Sequence, residues 1–213
     1  MLKKTLIAIP AYNEEQNIKN IILKCKKISN VVVVNDGSND KTETLAERFG
    51  AKVINHKFRR GYESSIYTAI NFFVKSNYTK IIFMDADGDH PSSSIKIFDK
   101  YLNQFDIVCG IRKKVHRFGE KFFIFLSKII WNLSDPLCGM KGYKRSFLKK
   151  NLTEKKFNSI HTFFLISGKK KKFKVKEIKI NNRPRTSESR FGSGFSTNFN
   201  IIFTFFKCLI LIR

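Results

Sequence analysis

Apolar and polar positions follow two different periods along the first half of the chain. Five short runs, TLIAIP, VVVVND, AKVINH, KIIFMD and FDIVCG, are apolar or β-branched and end in a turn or polar signal, which predicts strands. Helical patterns lie between them. In NEEQNIKNIILKCKKI, residues Ile18, Ile21, Ile22, Cys25 and Ile28 share one helical face, and Asn13 with Gln16 has the spacing of a capping box. A second helix is expected after DGSND, stopping at Gly50, a third over residues 62–76, and a fourth after Pro91. Strands alternating with helices imply an α/β fold: a mostly parallel sheet with right-handed crossovers, flanked by helices. Such sheets bind ligands beyond the carboxyl ends of their strands. AYNEE, NDGSND and DADGDHP all fall at that edge.

The second half has another character. HRFGEKFFIFLSKIIWNLSDPLCGMKGYKRS joins an apolar helical stretch to a Gly-rich turn region. GKKKKFKVKEIKI alternates as a strand, but Phe173 and Val175 are out of phase with Ile178 and Ile180, and a bulge near Glu177 would reconcile them. RPRTSESRFGSG is a polar loop, and NFNIIFTFFKCLILIR forms an apolar helical tail with Lys207 inside it. Without repeats or an obvious linker, the expected organisation is one domain over residues 1–196 and a C-terminal amphipathic helix over 197–213.

Composition adds three constraints. An apolar fraction of 42% with well-spread aromatics argues against disorder. The four cysteines have no C-x-x-C spacing and read as reduced core residues. The start has too short an apolar run for a signal peptide, and no stretch reaches the roughly 18 to 20 apolar residues that span a bilayer. The formal net charge of +24 attracts polyanions: nucleic acid, anionic lipid or phosphorylated substrates.

Against that charge, IIFMDADGDHP is conspicuous. Asp85, Asp87 and Asp89 recur at every second position after a strand, and carboxylates so close resist ionising together. Asp and Gly are also ordinary turn residues. The cluster makes chemical sense if a divalent cation sits among the three.

PAYNEE, VVNDGSNDKT, RRGYESS, MDADGDHP, SDPLCGMKGYK and RPRTSESRFG occur in the order found in family 2 glycosyltransferases of the GT-A fold. The chain most resembles the branch that includes dolichyl- and polyprenyl-phosphate sugar transferases. The resemblance implies a Rossmann-like GT-A fold and an inverting transfer of a hexose from a GDP- or UDP-linked donor. In the family an Asp-x-Asp pair holds Mg²⁺ or Mn²⁺ on the donor diphosphate. That role carries over to Asp85 and Asp87, with Asp89 at a third matching position and Ala86 between the first two. Pro10, Ala11, Tyr12 and Glu14 match the motif that holds base and ribose. Asp36 matches the residue that accepts a hydrogen bond from the base, preceded here by Asn35. Arg60 and Gly61 match a basic loop near the diphosphate, while Glu63 stands where relatives often have Gly.

On the acceptor side two chemistries stay open. A lipid phosphate is already anionic and needs positioning and charge rather than a base. Arg112 and Arg117 are candidates to meet it. A sugar hydroxyl needs a base, for which Asp135 is the candidate. The Arg-x-x-x-Ser pair of the dolichyl-phosphate enzymes is not found, since Phe123 stands four before Ser127. Arg183, Arg185, Ser189 and Arg190 match a loop expected to close over the donor, with Gly192 and Gly194 lending mobility. The apolar tail and basic surface lead to an expectation of peripheral association with an anionic membrane, on its cytoplasmic face. Many relatives continue from the tail into transmembrane helices. A nucleic-acid module is the rival reading of the charge. Its aromatics, however, cluster in apolar runs such as KFFIFL rather than between basic residues, so no nucleic-acid partner is expected.

Overall fold

A computed structural model describes residues 4–88, 90–115, 117–152, 159–181 and 195–211. The chain alternates β1 (Thr5–Ala11), α1 (Ile18–Lys26), β2 (Asn30–Asn35), α2 (Thr42–Arg48), β3 (Lys52–Asn55), α3 (Tyr62–Lys75) and β4 (Lys80–Phe83). Then come α4 (Ser94–Tyr101), β5 (Ile107–Arg112), α5 (Phe118–Trp131), β6 (Lys141–Lys144), α6 (Arg145–Asn151), α7 (Ile160–Lys170), β7 (Val175–Ile180) and α8 (Phe195–Leu211). Among the described residues the strands form one seven-stranded sheet in the order β3-β2-β1-β4-β6-β5-β7.

All pairs are parallel except β4–β6 and β5–β6, where β6 runs against its neighbours. β1, β2 and β4 are buried on both faces, which is why they read as continuous apolar runs. The chain leaves β1 toward β2 and β3 on one side, then returns to place β4 on the other. The crevice between the carboxyl ends of β1 and β4 is therefore a topological switch point.

The expected stop at Gly50 is present in full. Gly50 has φ +80°, its N–H donates to the Glu47 carbonyl at 2.9 Å, and the Ala51 N–H donates to Ala46 at 3.1 Å, a Schellman closure.

Two local expectations are corrected. The Asn13–Gln16 capping box does not form: α1 begins at Ile18 after Asn17, and Asn13 is left-handed at φ +51° because its amide is used between loops. No bulge interrupts β7, whose register with β5 runs unbroken from Ile107↔Val175 to Arg112↔Ile180. Phe173 lies before the strand and packs edge-on against Phe147 at 5.0 Å, so its phase carries no information about β7.

The four cysteines are buried and form no disulfide. No helix among the described residues is long and apolar enough to cross a membrane.

Candidate active site

The loops after β1 and β2 are bound to one another. The Asn13 N–H donates to Ser38 Oγ at 3.0 Å, and its Oδ1 accepts from the Asn39 N–H at 2.9 Å. The Glu14 N–H donates to Thr42 Oγ1 at 2.7 Å, and the Glu15 N–H to Asp40 Oδ2 at 3.1 Å. Although partial burial opposes the Asp40 charge, hydrogen bonds from Thr42 and the Glu15 N–H outweigh it and hold that carboxyl below its ordinary range. Glu14 is buried with its Oε2 accepting from Asn17 at 2.9 Å. Pro10 and Ala11 end β1, and the Arg59 guanidinium lies 4.4 Å from the centre of the Tyr12 ring.

Asp36 lies just beyond β2 and is buried. Its Oδ1 accepts from the Arg60 N–H at 2.9 Å and meets His56 Nδ1 at 2.7 Å, while Oδ2 accepts from the Gly61 N–H at 2.8 Å. His56 is held in turn by Thr68 at 2.8 Å. Gly37 allows the closure: at φ +70°, any Cβ there would lie 2.7 Å from the Arg59 nitrogen. Asp36 thus shapes the 58–61 loop from below, and the Arg60 side chain is left exposed at the rim.

Asp85, beyond β4, is half-buried and lightly held. Tyr62 donates its hydroxyl to Oδ1 at 3.2 Å, and His90 Nδ1 lies 3.8 Å from Oδ2 while accepting the Asp85 N–H at 3.2 Å. Burial, then Asp85 and Glu63, push the Tyr62 phenol well above its ordinary range, so it remains a donor. On the other side stands Gly139, where a Cβ would come within 2.3 Å of Asp85 Oδ2. Ala86 is buried, Asp87 is half-buried, and Gly88 turns the chain at φ +79°. Asp89 lies outside the described residues.

Among the described residues no three His, Cys, Asp or Glu side chains converge as a metal cage. Mg²⁺ and Mn²⁺ need none. They are commonly held by one or two carboxylates, with waters and substrate phosphates completing the shell. Asp85, half-buried, packed against Gly139 and with a single tyrosine donor at hydrogen-bond distance, fits that chemistry.

The residues expected on the acceptor side form one ion network. Arg112 donates to Asp135 Oδ2 from its backbone N–H at 3.0 Å and from Nε at 2.8 Å, and to Oδ1 from Nη2 at 3.0 Å. Its Nη1 reaches Glu120 at 3.2 Å, and Arg117 holds the other Glu120 oxygen at 2.9 Å. Burial opposes the Arg112 cation, but Asp135 and Glu120 overcome it and keep the guanidinium more firmly protonated than usual. Glu177 on β7 accepts from the Ser134 N–H at 2.7 Å and the Asp135 N–H at 3.3 Å.

The segment from Asp135 to Gly139 links this network to Asp85. Fully buried Lys141 donates from Nζ to the carbonyls of Pro136 and Cys138, and Thr162 donates to Pro136 at 3.1 Å. Arg183, Arg185, Ser189 and Arg190 lie outside the described residues.

Sequence reasoning missed Tyr62, Gly139, Glu120, Lys141 and Glu177. Tyr62, Gly139 and Lys141 lie inside the quoted RRGYESS and SDPLCGMKGYK segments, so a signal for them existed. Glu120 takes its role from the two arginines before it, and Glu177 from Ser134 and Asp135, distant in sequence. Glu63 accepts the Ile160 N–H at 2.8 Å and so ties α3 to the start of α7.

The model of glycosyl transferase family 2 matches residues 6–169. A UDP-N-acetylglucosamine–dolichyl-phosphate N-acetylglucosaminyltransferase of Methanococcus voltae is 25% identical, with 99% of this chain and 96% of that protein aligned. A dolichyl-phosphate hexose transferase of Haloferax volcanii is 24% identical over 86% of this chain and 85% of its own length. Glucosyl-3-phosphoglycerate synthase from Mycobacterium tuberculosis, crystallised with phosphoglyceric acid, superposes with a TM-score of 0.80 at 16% identity, covering 96% of this chain and 79% of its own. A crystal structure of that enzyme in complex with Mn²⁺, UDP and glucosyl-3-phosphoglycerate gives 0.77 at 17% identity, with 96% and 79% covered. This likeness carries the GT-A fold.

Proposed function

Since the chain belongs to glycosyl transferase family 2 and is a nucleotide-sugar-dependent glycosyltransferase, we propose that it moves a hexose, with inversion, from a GDP- or UDP-linked donor to a polyprenyl or dolichyl phosphate or to a lipid-linked glycan, the phosphate being favoured. The donor lies in the crevice between β1 and β4, with base and ribose against Pro10, Ala11, Tyr12 and Glu14. Asp36 sets the loop that brings Arg60 and Gly61 toward the diphosphate. Asp85 and Asp87, joined by Asp89, hold Mg²⁺ or Mn²⁺. When bound, that ion supplies positive charge to the diphosphate leaving group. Tyr62 keeps the Asp85 carboxylate oriented, and Arg183, Arg185, Ser189 and Arg190 close over the donor.

One observation carries the choice of acceptor. Asp135, the base that a hydroxyl would require, accepts three hydrogen bonds from Arg112. Buried, with both oxygens bound to that guanidinium, it is not presented to an incoming hydroxyl. A phosphate oxygen is already anionic and attacks without losing a proton, so orientation and charge suffice. Arg112 and Asp135 then fix the floor of the acceptor side, and Arg117 sits at its entrance. The relatives named for dolichyl phosphate support the same choice. A lipid acceptor also fits residues 1–196 as the transferase unit, with 197–213 meeting the cytoplasmic face of a membrane.

The test is a transfer assay with labelled UDP- and GDP-sugars, Mn²⁺ or Mg²⁺, and either dolichyl phosphate or a soluble glycan. Label extracted into the organic phase with dolichyl phosphate is the expected result. Transfer to the glycan alone, abolished by Asp135→Asn, would replace this reading with hydroxyl glycosylation.

A further inference from the structure

Helices α5 and α8 lie side by side, and each carries an apolar stripe that nothing among the described residues covers. On α5 the stripe runs Phe118, Phe122, Phe125, Ile129, and on α8 it runs Phe199, Phe203, Phe206, Ile210. Both follow steps of four, three and four, the spacing of one helical face. Apart from half-buried Phe122, these side chains keep between 50% and 71% of their full exposure.

The pair is nevertheless well joined on its inner side. Phe205 packs between Phe123 and Trp131, with ring centres 5.2 and 5.3 Å away, and the Gly119 N–H donates to Asn198 at 2.9 Å. A Cβ on Gly119 would lie 2.9 Å from the Asn198 carbonyl oxygen, so the helix starts approach closely. Two helices locked together by their inner faces, each with bulky apolar residues turned outward, make a platform larger than a single tail would give.

Charge decides what covers it. Lys121 and Lys128 are exposed on α5, Lys207 lies over the Phe203 ring at 4.6 Å, and Lys114 is exposed just before α5. The acid of α5, Glu120, is bound by Arg112 and Arg117, and α8 has none. A second copy would set +24 against +24. An anionic lipid surface accepts the apolar stripes and the lysines together.

We propose that α5 and α8 together form a docking face for the surface of an anionic bilayer. Because α5 starts at Arg117 and Phe118, docking sets the membrane surface beside the Arg112–Glu120–Asp135 network. The proposal rests on the membrane-face reading above in its choice of partner, but its test measures binding and needs no transfer. Loss of one is thus distinguishable from loss of the other.

The experiment is co-sedimentation of the full chain with vesicles of phosphatidylcholine, with and without phosphatidylglycerol, beside sedimentation velocity without lipid. Wild type should bind the phosphatidylglycerol vesicles, and Phe125→Gln with Phe206→Gln should weaken partitioning about a hundredfold. Emission of the sole tryptophan, Trp131, reports whether the helix pair stays packed. If that signal is lost, Phe118→Gln with Phe199→Gln takes the place of the first pair. Equal binding by wild type and a packed variant, or no binding by wild type, would overturn the proposal. So would self-association of wild type that the same substitutions abolish, which would assign the face to a second copy.

Discussion

Asp36 and Asp85 are the same residue type, each just beyond a buried parallel strand at the same sheet edge, and they do opposite work. Asp36 is buried, with two backbone N–H groups and His56 directed at its two oxygens. Asp85 is half-buried, with one tyrosine at hydrogen-bond distance and Gly139, which carries no donor side chain, packed against its other side. A carboxylate whose lone pairs are filled by the backbone holds a loop in shape, whereas one left open can still take a cation or a ligand. Position at the strand end does not tell the two apart. Their donors do.

The sharpest way to break this contrast is to alter each in turn. Asp85→Asn should lower kcat/KM at least about a thousandfold, equivalent to about 4 kcal/mol of barrier, while leaving the thermal melt near that of wild type. Asp36→Ala should do the reverse in kind. It strands two N–H groups and an imidazole, and a loss of about 3 kcal/mol in urea unfolding is expected. If Asp85→Asn unfolds the protein and Asp36→Ala does not, the roles are exchanged.

Gly139→Ala sharpens the comparison without touching either carboxylate. Its Cβ would fall 2.3 Å from Asp85 Oδ2, so the carboxylate must turn away. Mn²⁺ affinity measured with a nucleoside diphosphate should fall about thirtyfold, near 2 kcal/mol.

The smallest effect is a pH dependence at Glu63. Burial raises its pKa, against the opposing pull of the Ile160 and Ser159 N–H groups. For a carboxyl with a raised folded value, its favourable contribution is present below the ordinary glutamate value and is lost as pH rises through the folded one. Relative to Glu63→Gln, wild type should lose stability over that rise, as read from melting against pH.

Much of the fold was legible in the sequence because its evidence is local. Uninterrupted apolar runs mark β1, β2 and β4, and the end of α2 is marked by Gly50 itself. β6 was not legible. KGYK is short, and Gly142 weakens the pattern although the structure requires it, since a Cβ there would meet Leu102 Cδ1 at 2.9 Å.

The site follows the same rule. Its loops could be placed at the sheet edge from strand order alone. The pairing of Arg112 with Asp135 joins residues 23 apart in sequence, and the Asp36 cradle joins residues 20 to 25 apart, so neither can be read from a local pattern. Local signals gave Asn13 a cap to make, and a contact with the neighbouring loop claimed it instead.

The most direct measurement is a Mn²⁺ titration, followed by electron paramagnetic resonance, with UDP and separately with GDP, on wild type and Asp85→Asn. Binding by wild type with one of the nucleotides, and at least about a hundredfold weaker binding by a folded Asp85→Asn, is the predicted result. Equal Mn²⁺ affinity in the two proteins, or none in wild type with either nucleotide, would contradict the assignment of Asp85 as the open carboxylate of the site.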